Sequence, residues 1–241
     1  MGRITKYLDD TFYPGAQRWD DRLFRERILA HLTPESTVLD LGAGAGIVPE
    51  MNFRGLAKKV CGVDLDPRVK ENAFLDEAHH TDGASIPYPD ASFDVVFADN
   101  VVEHLAEPEL VFAEIHRVLK PGGHFLFKTP NKTHYMPLVA RLTPHRFHQF
   151  VNRLRGREEV DTFPTLYHAN TAGRVQALAA ACGYDRCVAE RIEGRPEYLR
   201  LNPLLYVGGI VYEKLVNASN ALAPFRILLV ATLRKRSGDA G

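Results

Sequence analysis

The chain has 241 residues, 45% hydrophobic, 25% charged and 10% aromatic. That composition excludes a wholly disordered, collagenous or coiled-coil protein, and the length can bury a core without staples. Formal charge is zero but uneven: residues 1–120 carry 21 acids and 13 bases, residues 121–241 carry 9 and 17.

Cys61, Cys182 and Cys187 form no CxxC pair, which points to reduced thiols in a cytoplasmic protein rather than a disulfide framework or a zinc site. The start, MGRITKYLDD, has no apolar h-region of a secretory signal. No 20–50-residue repeat is visible.

Asp20 to Leu32 places Leu23, Phe24, Ile28 and Leu32 at helical spacing, with Asp20 and Asp21 suited to the first turn. Thr37–Leu41 is a β-branched run that stops at glycines, a buried-strand pattern. A helix is expected over Gly46–Leu56 and a strand over Lys59–Leu65. Asp66-Pro67 then opens a helix to about Ala78, with Asp as N-cap and Pro at the first helical position.

Phe93–Ala98 is another strand, Pro108–Leu119 a helix, and His124–Lys128 a strand after the turn Pro121-Gly122-Gly123. The stretch from Thr129 to Thr165 breaks the rhythm with four prolines and reads as an insertion over one end of the sheet. Thr171–Cys182 resumes as a helix, Tyr184–Ile192 as a strand and Pro196–Ala221 as one or two helices. Phe225–Leu233 is the last strand, and a frayed tail is expected from Arg234. Strands alternating with helices imply a parallel α/β sheet in one domain. Its additions are an N-terminal helical cover (1–36), the cap insertion (129–165) and a helical insertion (196–222).

The segment VLDLGAGAG, residues 38–46, sets a glycine-rich loop between a strand and the next element. Open α/β sheets bind ligands at that strand end. Asp64 ends the second strand, where an acid can accept hydrogen bonds from ribose hydroxyls. Dinucleotide sites need G-x-G-x-x-G; here Ile47 stands where the third glycine would fall. Asp40 beside the loop also suits a cationic ligand better than pyrophosphate. A nicotinamide dehydrogenase is therefore disfavoured.

At these residues the chain resembles the class I S-adenosylmethionine-dependent methyltransferases that modify small molecules. The likeness covers Thr37 to Lys128 through VLDLGAGAG, GVDLDP, TDGASIPYPDASFDVV and LKPGGHFLF. It implies a Rossmann-like, mostly parallel sheet of seven strands, the last one antiparallel, with a short strand near His79–Thr81. It also implies S-adenosyl-L-methionine as cofactor. Asp40, Gly42, Gly44 and Gly46 carry over to its methionine part, Asp64 to its ribose, and Asp82-Gly83 to its adenine. Leu65 and Asn100 are further expected contacts. Gly83 stands where the family often has Ala. Tyr7, Phe12, Tyr13 and Trp19 either pack the first helix on the sheet or fold over the cofactor.

Methyl transfer needs alignment, and a hydroxyl acceptor also needs a base. His134 and His104 are the candidate catalytic residues, His104 with a structural alternative as a loop-holding residue. No cysteine nucleophile, Asn/Asp-Pro-Pro-aromatic motif or aromatic-interleaved basic strip marks a nucleic-acid substrate. The expected activity is methyl transfer to a hydroxyl, amine or carboxylate of a small molecule. The alternative is a catalytically inactive cofactor-binding or regulatory protein on the same fold.

From Lys128 to Arg157 there are seven Lys/Arg and no acid. The plain reading is a solvated basic face; the sharper one is a region facing an anionic acceptor, which arginine forks would suit. The apolar run Pro203–Tyr212 is too short to span a bilayer. It either packs at the sheet edge or, with Arg234-Lys235-Arg236, makes peripheral contact with a membrane.

Overall fold

The computed structural model describes residues 2–81, 85–137, 164–200 and 202–238. Seven strands form one sheet: β1 (Thr37–Leu41), β2 (Lys59–Asp64), β3 (Glu77–His80), β4 (Phe93–Asp99), β5 (Leu119–Pro130), β6 (Tyr184–Ile192) and β7 (Leu228–Lys235). The spatial order is β3-β2-β1-β4-β5-β7-β6. β1 to β5 pair in parallel, and β7 runs antiparallel between β5 and β6. The described helices are α1 (Arg3–Phe12), α2 (Trp19–Leu29), α3 (Pro108–Val118), α4 (Ala172–Ala181) and α5 (Pro203–Asn217).

The central strands are apolar on both faces because both faces are covered. Val38, Val60, Val95, Phe97 and Leu126 lie under Phe24 and Ile28 of α2. Leu39, Cys61, Val96, Phe125 and Phe127 lie under Phe112 and Ile115 of α3 and Val175 and Leu178 of α4. Each fully buried Phe or Ile contributes about 1.5–3 kcal/mol.

Two expected helices do not form. Instead of Gly46–Leu56 there is a single 3-10 turn at Pro49–Met51, and instead of Asp66–Ala78 a 3-10 turn at Pro67–Glu71 leading into β3. The first stretch carries Pro49, Asn52 and Gly55, and it plugs the core with Met51 and Phe53. The second plugs the same core with Val69 and Leu75. Short plugs between closely spaced strands replace amphipathic faces here.

The tail also differs from expectation. β7 continues to Lys235, Arg234 bonds Asp185, and Lys235 Nζ donates to the carbonyls of His116 and Leu119. α5 is one helix containing Gly208 and Gly209. A Cβ on Gly209 would come within 2.9 Å of Pro196 and Leu199, so glycine lets α5 approach that turn closely. α5 packs chiefly on α1 and on the turns 197–199 and 220–225, not flat on the sheet.

Candidate cofactor cradle and acceptor chamber

Three neighbouring strands carry acids at the same end of the sheet: Asp64 and Asp99 are the last residues of β2 and β4, and Asp40 is the last but one of β1. Burial pushes the Asp40 carboxyl well above the usual carboxylate range, and the nearby Asp99 and Asp64 charges add to it. Asp99 rises to about 7, first through burial, despite the opposing pull of Lys128. Such a row suits a positively charged ligand, whose charge would relieve the crowding of carboxylates.

The glycine loop is clamped from two sides. Asp64 Oδ2 accepts from Gly44 N–H at 2.7 Å, and Asp64 Oδ1 accepts from Asp66 N–H at 2.7 Å. Asn72, buried, donates through Nδ2 to the carbonyls of Ala43 and Gly44 at 2.9 and 3.2 Å. All three glycines have left-handed φ, but for different reasons of space. A Cβ on Gly42 would lie 2.2 Å from Val101 Cγ2, and one on Gly46 would lie 2.2 Å from Asn72 Oδ1. A Cβ on Gly44 would meet only Asp64, at 4.0 Å. Gly42 and Gly46 thus answer to protein packing, and Gly44 alone keeps an open side.

Lys128, from the basic run, is fully buried at the end of β5. Its ammonium lies 2.9 Å from Asp20, 3.3 Å from Asp99 and against Asp21. Burial alone would lower its pKa, but the three carboxylates outweigh burial and raise it. Lys132 donates to the Tyr167 carbonyl at 3.2 Å. Neither of these two described lysines presents an exposed cation to an anionic acceptor; Arg141, Arg146, Arg153, Arg155 and Arg157 lie outside the described residues.

A cavity of about 650 Å³ opens beside this cluster. It is walled by Trp19, Asp20 and Asp21 from α2, Asp99 at the end of β4 with Asn100, Glu103 and His104 beyond it, His134 and Tyr135 after β5, and Glu193 and residues 195–198 after β6. Its described wall is rich in carboxylates. Glu103 accepts from Thr129 Oγ1 at 2.7 Å, and burial raises its pKa. Asn170 in turn donates to Thr129 Oγ1 at 2.6 Å. The cavity lies to one side of the glycine loop, so cradle and chamber meet at Asp99 and Asn100.

The two candidate histidines sit on this wall in different states. His104 Nδ1 is 2.9 Å from the Pro164 carbonyl, which can only accept, so the neutral ring carries its lone pair on Nε2. His134 is buried, and its Nδ1 accepts from Met136 N–H at 3.2 Å. Its Nε2 stands 3.4 Å from Glu193 Oε2, within ion-pair reach but off the line of a hydrogen bond. Both ring nitrogens are therefore directed at protein atoms.

Of the other expected contacts, Asn100 adopts left-handed φ, donates to Asp99 at 2.8 Å and lines the chamber. Leu65 is exposed beside Asp64. Asp82 and Gly83 lie outside the described residues, as does the cap insertion between 138 and 163. Asn72, Glu193 and the Lys128–Asp20–Asp21 contact were not expected; no local pattern marks them, because each partner comes from a distant element. Trp19 packs on Gly194 at the chamber rim, while Tyr7 and Phe12 face outward.

Residues 39–127 match the family described as "Methyltransferase domain". A probable S-adenosylmethionine-dependent methyltransferase of Mycolicibacterium smegmatis is 37% identical over 120 residues, 48% of this chain and 46% of that protein. A ubiquinone biosynthesis O-methyltransferase of Paraburkholderia phytofirmans is 29% identical over 148 residues, 54% of this chain and 62% of that one. The first of these alignments spans about half of the relative's length. A SAM-dependent methyltransferase from Archaeoglobus fulgidus superimposes with a TM-score of 0.61 at 16% identity, over 95% of this chain and 99% of its own. That likeness establishes the fold.

Proposed function

We propose that this chain, a class I methyltransferase fold whose residues 39–127 form an S-adenosylmethionine-dependent methyltransferase domain, methylates a hydroxyl, amine or carboxylate of a small molecule held in the chamber. The observation that carries this reading is that Asp99, whose charge acts on Asp40 of the cradle, also lines the chamber. The cradle fits the cofactor: it offers carboxylates to a cation and an open side at Gly44.

Bound there, S-adenosylmethionine supplies an electrophilic methyl group on a sulfonium. Asp64 has lone pairs left for the ribose hydroxyls after accepting two backbone bonds. Gly44 leaves room for the chain, and the exposed Leu65 offers an apolar surface to the base. Trp19 and the residues after β6 narrow the chamber and limit water. His104, which lines the chamber and is held through Nδ1 by the Pro164 carbonyl, is the residue we assign to take the acceptor's proton. His134, paired with Glu193, fixes the far wall. An acid-rich described wall favours a neutral or amine acceptor; the arginines of the 141–157 stretch motivate the anionic one, and substrate screening separates them. A cytoplasmic location and a non-nucleic-acid substrate complete the proposal.

The test is transfer of labelled methyl from S-adenosylmethionine to a metabolite extract. A methylated small product, lost about 10²–10⁴-fold in His104→Ala with cofactor affinity kept, supports it. Tight cofactor binding with no product from any extract would leave a cofactor-binding protein instead.

A further inference from the structure

α1 is amphipathic the wrong way round. Its inward side is polar: Thr5 and Asp9 are buried, and Asp9 accepts from Tyr206 OH and from Arg200 at 2.5 Å. Its outward side carries Ile4 and Tyr7, the latter 69% exposed. The neighbouring α5 turns Tyr206, Ile210, Glu213 and Val216 inward. Outward it presents Leu204 (83% exposed), Val207, Val211 and Leu215 at helical spacing, with Leu205 beside them. A soluble helix ordinarily places its apolar stripe on the core, and a contiguous exposed one marks an interaction surface.

The charges on these two helices select the occupant. The acid of α5, Glu213, is buried and bonded to Tyr13 OH at 3.1 Å and Asn217 at 2.7 Å. The exposed charges are Arg3 and Lys6 against Asp10, with Lys214 exposed but 3.2 Å from Glu213. An aliphatic face with a basic rim complements an anionic lipid surface. A second copy would set the same positive rim against itself across a two-fold axis. α5 has 15 residues and is about 22 Å long, and no described helix is long and apolar enough to cross a membrane. It can lie in the interface plane but not through it.

We propose that α1 and α5 dock this protein on an anionic lipid surface. The surface adjoins the chamber, because Tyr212 of α5 packs 5.6 Å from His134 and 4.9 Å from Tyr135, ring to ring.

Co-sedimentation of the full chain with vesicles of phosphatidylcholine, with and without phosphatidylserine, tests it. The wild type should bind the phosphatidylserine vesicles and release in high salt. Leu204→Glu with Val211→Glu should weaken binding at least about tenfold, and Arg3→Glu with Lys6→Glu several-fold on anionic vesicles alone. S-adenosylmethionine titration of each variant controls for folding. Three results overturn the proposal: no vesicle binding by the wild type, binding indifferent to both pairs of substitutions, or a dimer in ultracentrifugation that the Leu204/Val211 pair abolishes.

Discussion

Lys128 and Asp99 face each other in register across β5 and β4, their charged groups 3.3 Å apart. That contact joins the cofactor edge of the sheet to α2, because the same ammonium holds Asp20 and Asp21. One buried cation thus ties the N-terminal cover to the chamber wall.

Lys128→Met should leave three crowded carboxylates without their counter-ion. A loss of about 3–5 kcal/mol is expected, as for breaking a buried pair from one side. Urea unfolding measures it, and adding Asp21→Asn should recover part of the loss. A Lys128→Met protein as stable as the wild type would make the cluster incidental.

Cofactor binding should depend on pH through Asp99. With its carboxyl raised to about 7, the group is largely protonated below that pH and charged above it. Affinity for the sulfonium cofactor should therefore rise as pH passes upward through about 7. Affinity for the neutral thioether product should change less. In Asp99→Asn the difference between the two ligands should be flat across pH 6–8, read by calorimetry in roughly that window.

His31 and His124 stack with ring centroids 4.1 Å apart. Burial, then the neighbouring His31 and Arg234, push His124 down to about 4; burial and Arg186 lower His31. The unfolded chain, titrating near pH 6.5, binds more protons than the folded one in the window from about 6.5 to 4. This contribution to stability is full above that window and is lost as pH falls through it. His124→Phe should shrink the drop in melting temperature between neutral and acidic buffer; an unchanged drop would clear the pair of this role.

The three loop glycines should separate. Gly42→Ala and Gly46→Ala add left-handed strain of about 1–2 kcal/mol and a 2.2 Å clash, so both should destabilise the fold. Gly44→Ala adds the strain without the clash and should fold, with its larger effect on cofactor affinity. Melting curves beside titrations distinguish these outcomes.

The central strands were legible because they are β-branched or aromatic runs buried on both faces, as in Thr37–Leu41 and Phe93–Asp99. The cofactor edge was legible because the loop and Asp64 are close in sequence. The segments after β1 and β2 misled because Asp66-Pro67 is as good a start for a 3-10 turn as for an α-helix. The tail misled because Lys235 is held by carbonyls more than a hundred residues away. The same distance hid Lys128, whose basic neighbours suggested an anion while Asp20 and Asp21 awaited it from α2.

The central claim is that the cradle formed by Asp64 and the Gly44 loop binds S-adenosylmethionine. Isothermal titration of the cofactor into wild type and Asp64→Asn, with a melting curve to show that both are folded, tests it most directly. The account predicts saturable binding to the wild type and a loss of at least about tenfold, 1.4 kcal/mol, in the variant. Equal affinity in a folded variant, or no binding to the wild type, would contradict it.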